Sequence, residues 1–359
     1  MPRIRVMIVE DSGVIRQFLE HIIGSDPRLE VVASVESGED ALRALTRVSP
    51  DVISMDIHLP GMSGLEATRR IMEERPTPIV VVSGSLQPNE LEGSMLALKA
   101  GALVVVGKPV GTTHEDYESL AERLCTQLAI MSQVKVVRQR FNGRKRPRRA
   151  ARDRRDVPFA TAEGRDHRSF VMIGIVASTG GPRALQTLLG AIPAEFPVPI
   201  ALVQHITAGF HYGFVDWLDG ACPLSVVTAE DGQFATAGHV YVAPPDEHLT
   251  IHDERLCLWR GDPVSAQRPS GTVLLESMAA SLGEQALGVV LTGMGDDGAL
   301  GLSAIRHAGG YTIAEDESTA VVYGMPAVAK RLGAVCEQLP LDDIARRLQC
   351  LVRETVEVG

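Results

Sequence analysis

Residues 286–301 read ALGVVLTGMGDDGALG. An unbroken apolar run, Ala286–Leu291, leads into a glycine turn and then a helical pattern. That is the order of a parallel α/β unit, in which functional groups gather at the strand's carboxyl end. The turn itself has two incompatible readings. Gly293, Gly295 and Gly298 spell G-x-G-x-x-G, the form of a dinucleotide-binding turn, and an acidic cluster at Glu315, Asp316 and Glu317 follows at about the distance of a ribose-binding acid. Against this, two x positions hold Asp296 and Asp297, and paired carboxylates line a pyrophosphate site poorly. The other reading is that one of these aspartates does chemistry, and the rest of the chain decides between them.

With 359 residues and 45% hydrophobic content, the chain has enough apolar material for two or three domains. Five cysteines, odd in number and without C-x-x-C spacing, argue against a disulfide framework or a structural zinc site. A reducing cytoplasm is expected. MPRIRVMIVEDS reaches acidic residues early, and no apolar run approaches about eighteen residues, so neither secretion nor membrane insertion is expected. The net charge of −10 hides a basic run, Arg138–Arg155, with ten Lys and Arg against the single acid Asp153. One aromatic and the breakers Gly143 and Pro147 make it a solvated linker rather than a nucleic-acid patch. The expected division is a first domain over 1–125, a basic linker over 126–167 and a second domain over 168–359, with no nucleic-acid partner and a monomeric state.

In the first body, apolar β-rich runs alternate with helical patterns: IRVMIV, Ile15–Ile23, VVASV, Gly38–Arg47, DVISM, Gly64–Glu74, PIVVVS, Leu91–Ala100 and LVVVG. Short connections and nearly continuous apolar strands predict a doubly wound parallel α/β sheet, (βα)5, with its site at the strands' carboxyl ends. Those ends hold Glu10 and Asp11, then Asp56, Ser83 and Lys108. Three converging carboxylates repel one another unless a divalent cation is present, and Mg²⁺ suits oxygen ligands. A metal beside Lys and Ser suits phosphorylation of Asp56. VEDS, SMDIHLPGMSG, VVVSG and GKP make residues 3–125 resemble a response-regulator receiver domain. The resemblance implies Asp56 as phospho-acceptor, Glu10, Asp11 and Asp56 around Mg²⁺, Ser83 as switch hydroxyl and Lys108 as phosphate partner. Val105 stands where many receivers carry an aromatic switch residue.

The second body opens with SFVMIGIVASTGGPRALQTLL, a strand, a turn and an amphipathic helix with Leu185, Leu188 and Leu189 on one face. Ser178 lies in that turn, where it is either an ordinary helix cap or a nucleophile beside unpaired backbone N–H groups. The G-x-S-x-G elbow is absent. His205 ends the next apolar run, VPIALVQH, so parallel strands would bring Ser178 and His205 to one edge. An imidazole there needs a carboxylate to fix its tautomer, and the opening loop supplies Asp296 and Asp297. Chemistry is therefore the better reading of that loop, because the dinucleotide alternative leaves the serine and histidine unused.

Together with ASTGGP, VQH followed by Gly209-Phe210, AEDG, GHVYVAPPDEHL, RPS, LTGMGDDG and YGMP, the chain resembles the CheB-type chemotaxis protein-glutamate methylesterases over nearly its whole length. The resemblance implies an α/β catalytic domain with a mostly parallel sheet, Ser178 as nucleophile, His205 as general base and Asp297, rather than Asp296, as orienting acid. It places Thr179 and the Met294 backbone near the oxyanion or substrate. It further implies hydrolysis of glutamate methyl esters and deamidation of glutamines on methyl-accepting chemotaxis receptors, a CheA-type histidine kinase as partner, and no cofactor for hydrolysis itself. Val176 replaces a common Gly, Thr207-Ala208 a Pro-Pro, and Thr272 an Asp. A non-catalytic receiver-output binding protein and a dinucleotide-dependent oxidoreductase are the alternatives.

Overall fold

The computed structural model describes residues 2–83, 93, 96–98, 100–108, 117–134, 136 and 169–356. In the first body, β1 (Ile4–Val9), β2 (Leu29–Val35), β3 (Val52–Met55), β4 (Ile79–Ser83) and β5 (Val104–Gly107) form one parallel sheet in the order β2-β1-β3-β4-β5. Alternate residues feed two cores. Val6, Ile8, Val52, Val80 and Val82 pack with Leu19, Ile23, Leu124 and Leu128 on one face. Met7, Val9, Ile53, Met55 and Val81 pack with Ala41, Leu45, Ala67 and Ile71 on the other. Both faces are thus covered, as near-continuous apolar strands require. The helices Gly13–Ser25, Gly38–Val48 and Gly64–Glu74 start at Ser12, Ser37 and Ser63, whose hydroxyls accept from backbone N–H groups inside the first turn. Half of the helical pattern expected over Leu91–Ala100 lies outside the described residues. The final helix of this body, Tyr117–Met131, runs through the domain boundary expected at 125. Most of the expected linker, including the basic run, lies outside the described residues.

The second body contains β6 (Met172–Ala177), β7 (Ile200–Gln204), β8 (Ser225–Thr228), β9 (His239–Val242), β10 (His248–His252), β11 (Arg255–Trp259), β12 (Ala286–Val290), β13 (Tyr311–Glu315) and β14 (Glu337–Leu339). Seven of them form a parallel sheet, β14-β13-β12-β6-β7-β9-β8, while β10 and β11 make an antiparallel hairpin. Ile173, Ile175, Leu202, Val240 and Val289 face the helices Gly181–Leu189, His211–Asp219 and Leu341–Val356. Val176, Ala201, Val203 and Val290 face the helices Gly271–Leu282 and Ala299–His307 and the hairpin. Strand β6 lies between β7 and β12, with Val176 in register with Val203 on one side and Val290 on the other. The chain leaves β6 toward β7 and later returns to β12 on its other flank. That reversal opens a crevice at the carboxyl end of β6. The two bodies touch: Leu98 and Val105 of the first pack against the core of the second. Among the described residues, no helix is long and apolar enough to cross a membrane.

Candidate active site and receiver site

Three strand ends meet in the crevice. Ser178 follows β6, His205 follows β7, and the loop after β12 carries Asp297. Backbone bonds hold the ends together: the His205 N–H donates to the Ala177 carbonyl (3.0 Å) and the Ser178 N–H to the Thr292 carbonyl (3.1 Å). Ser178 does not cap the following helix. That helix starts at Gly180, which adopts the left-handed conformation (φ 80°) and has no side-chain cap bond. Among the described residues nothing hydrogen-bonds the Ser178 hydroxyl, and the Ser178 carbonyl accepts from the Gln204 amide (3.0 Å).

Asp297 is 2% exposed and accepts four hydrogen bonds. Oδ2 takes His205 Nε2 at 2.8 Å and the Gly271 N–H at 2.6 Å; Oδ1 takes the Ser270 hydroxyl at 2.6 Å and the Thr272 N–H at 2.9 Å. The carboxylate therefore sits on the N-terminus of helix Gly271–Leu282, where N–H groups are unpaired and the helix dipole favours negative charge. Burial pushes its pKa up, but His205, Ser270 and the backbone donors outweigh burial and bring it to about 2. Asp297 is thus a fixed anion holding one imidazole nitrogen. The other, His205 Nδ1, is buried without a partner among the described residues. Asp296 is exposed.

Ser178, Thr179, His205, Met294 and Asp297 line one cavity of about 740 Å³. Thr179 is buried and Met294 exposed at its edge. Within the G-x-G-x-x-G turn, the glycines serve geometry rather than phosphate. A Cβ on Gly293 would stand 2.7 Å from the Ser178 Cβ, and Gly298 starts the next helix at φ 83°. Glu315, the candidate ribose acid, is fully buried and accepts from the Thr292 N–H at 2.7 Å. Loop and acid are both committed to protein contacts.

Sequence reasoning missed several of the supports. Ser270 lay in the quoted RPS segment, and its position just before an apolar helical run was a usable capping signal. Gln204, Thr292 and Glu315 carried none, since their roles depend on strand register. Thr272, noted only as a departure, is buried and accepts the Gly298 N–H at 2.8 Å. It joins the starts of two helices.

In the first body, Glu10, Asp11 and Asp56 bring carboxylate oxygens within 4.8 Å of one another. Lys108 Nζ lies 2.8 Å from Glu10 and 3.0 Å from Asp56. Burial, reinforced by Asp56, raises the pKa of Glu10 against the pull of Lys108. Burial works against the Lys108 ammonium too, but the two carboxylates outweigh it and leave its pKa raised. The Ser83 hydroxyl is buried beside β5 with no partner among the described residues. All five expected residues thus stand at the carboxyl edge of this sheet. A divalent cation with oxygen ligands fits the three carboxyls. Val104, Val105, Val106, Arg123 and Gln127 of this same body line the 740 Å³ cavity that Ser178 lines.

Residues 173–348 match the family described as CheB methylesterase, and residues 6–116 match the response regulator receiver domain. A protein-glutamate methylesterase/protein-glutamine glutaminase of Paramagnetospirillum magneticum is 54% identical over 349 residues, 97% of either chain. One from Nitrosospira multiformis is 42% identical, covering 99% of this chain and 98% of its own. The crystal structure of the Thermotoga maritima CheB methylesterase catalytic domain aligns over 51% of this chain and all of its own, at 37% identity and a TM-score of 0.50. With a receiver fold before the Ser178 crevice and relatives matching nearly end to end, the chain belongs to the CheB methylesterase family of response regulators.

Proposed function

We propose that this chain hydrolyses glutamate methyl esters, and deamidates glutamines, on methyl-accepting chemotaxis receptors, with Ser178, His205 and Asp297 as one catalytic unit. The observation that carries this reading is His205, held through Nε2 by a buried anion while Nδ1 has no partner among the described residues and the ring lines the same cavity as Ser178. Nδ1 takes the Ser178 proton as Oγ attacks the ester carbonyl. The resulting imidazolium is stabilised by Asp297, which stays ionised. Nδ1 then returns the proton to the departing methoxide, releasing methanol. Water, deprotonated by the same nitrogen, attacks the acyl-enzyme and frees the glutamate carboxyl and the serine. A glutamine side chain passes through the same acyl-enzyme with ammonia as leaving group. Thr179 and the Met294 backbone line the place where the oxyanion develops.

Control is assigned to the receiver. Glu10, Asp11 and Asp56 would hold Mg²⁺, which neutralises phosphate charge while Asp56 is phosphorylated from a histidine kinase. Lys108 and Ser83 then turn toward the phosphate. Because β5 and the helix Tyr117–Met131 line the same cavity as Ser178, a shift there opens the cavity to a receptor helix. Covalent labelling with a serine-directed phosphonate tests the nucleophile: the mass increment should fall on the Ser178 peptide and vanish in His205→Ala. Label on another serine would reject the assignment.

A further inference from the structure

Thr292, the residue between β12 and the glycine turn, has every polar atom engaged around Ser178. Its carbonyl accepts the Ser178 N–H at 3.1 Å. Its hydroxyl donates to the Thr179 carbonyl at 2.9 Å and accepts the Val322 N–H at 2.9 Å. Its own N–H goes to Glu315 Oε2 at 2.7 Å. The peptide group before Ser178 and the one after Thr179 therefore both hang on one threonine, whose own N–H goes to one carboxyl. The register of β13 with β12 ends at Val290 and Ala314, and the Thr292 N–H goes to a side chain instead of a β13 carbonyl. A side chain stands in for the ladder partner. Glu315 does so from full burial, with Oε1 lacking a well-formed partner among the described residues.

We propose that Glu315 and Thr292 are positioning residues of the esterase reaction, a relay that fixes the backbone of the Ser178–Thr179 turn so that the serine hydroxyl faces His205. This rests on the reading of Ser178 as the nucleophile. Burial raises the pKa of Glu315, outweighing the Thr292 N–H and the Thr319 side chain. What the relay asks of Glu315 is one acceptor oxygen for the Thr292 N–H. A glutamine would serve equally, since its carbonyl accepts the same N–H. An apolar side chain of like size would fill the space and leave the Thr292 N–H buried and unpaired.

The test compares full-length wild type, Glu315→Gln, Glu315→Met and Thr292→Val, activated by a small phosphodonor with Mg²⁺, on methylated receptor membranes. Thermal melts accompany the kinetics. Glu315→Gln is expected to keep kcat within about threefold of wild type. Glu315→Met and Thr292→Val are expected to lose about ten- to a hundredfold in kcat with KM little changed, as a misplaced reacting group does. The rate of phosphonate labelling at Ser178 should fall in parallel, and this readout does not depend on the receptor substrate. A wild type that labels at Ser178 but releases no methanol would indict the substrate assignment alone. A folded Glu315→Met enzyme with wild-type kcat would overturn the relay, as would Glu315→Gln as slow as Glu315→Met. Should Glu315→Met fail to fold, Thr292→Val at wild-type kcat and labelling rate would overturn it in its place.

Discussion

Asp296 and Asp297 are adjacent in sequence and opposite in circumstance. One is exposed; the other is buried under four donors with its pKa brought to about 2. In Asp297→Asn the new NH₂ must face either Gly271 N–H and His205 or Ser270 and Thr272 N–H, so donors meet donors. Stability should fall by about 1–3 kcal/mol, and esterase activity by on the order of 10³- to 10⁴-fold through the wrong imidazole tautomer. Asp296→Asn should leave both nearly unchanged. Denaturant unfolding and methanol-release assays on the two variants check this, and a reversed ranking would mean that the wrong aspartate has been chosen. The sequence alone offered two aspartates and no reason in charge or hydropathy to separate them; family resemblance pointed to Asp297. The physical reason is tertiary, since the donors at Ser270–Thr272 lie more than twenty residues away along the chain.

Strands were the readable part of this molecule. Apolar runs such as MIGIVA, ALVQ and ALGVV are buried on both faces, and their ends bring Ser178, His205 and Asp297 to one crevice as the parallel reading required. What could not be read was how the ends are tied, because Thr292 and Glu315 act through register and Gln204 through a turn, and none of these leaves a pattern in spacing. Helix His211–Asp219 shows the same limit. His211 ends no apolar run in the sequence, yet it is buried at the helix start with Nε2 3.1 Å from the Thr228 hydroxyl. Burial lowers its pKa from 6.5 to about 4. Below pH 6.5 the unfolded chain binds a proton here that the folded chain refuses until about pH 4. The stability this group contributes is therefore full above 6.5 and lost as pH falls toward 4. Between pH 7 and 5 the loss should be about 2 kcal/mol. His211→Gln should flatten that part of the stability profile, measured as the difference between variant and wild type by urea unfolding at each pH. An unaltered slope would show that His211 is already protonated in the native state.

The proposed receiver control would act where the two bodies touch. Val105, small where an aromatic switch is common, packs against the core of the second body, and its strand lines the cavity that Ser178 lines. A shift of about 1.4–3 kcal/mol in the docking equilibrium would activate a mostly closed enzyme ten- to over a hundredfold. Phosphodonor with Mg²⁺ should stimulate wild type and leave Asp56→Asn unaffected, while a fragment beginning near residue 169 should outrun the unphosphorylated full chain. A fragment no faster than resting enzyme would reject occlusion and make the receiver a targeting domain. All of this presupposes that the crevice hydrolyses esters through Ser178. The measurement that addresses it most directly is methanol release from methylated receptor membranes by phosphodonor-treated enzyme, wild type beside folded Ser178→Ala. Wild type should release methanol in proportion to methylated receptor, and Ser178→Ala should fall by at least about 10⁴-fold; release by Ser178→Ala at a rate near wild type would contradict the account.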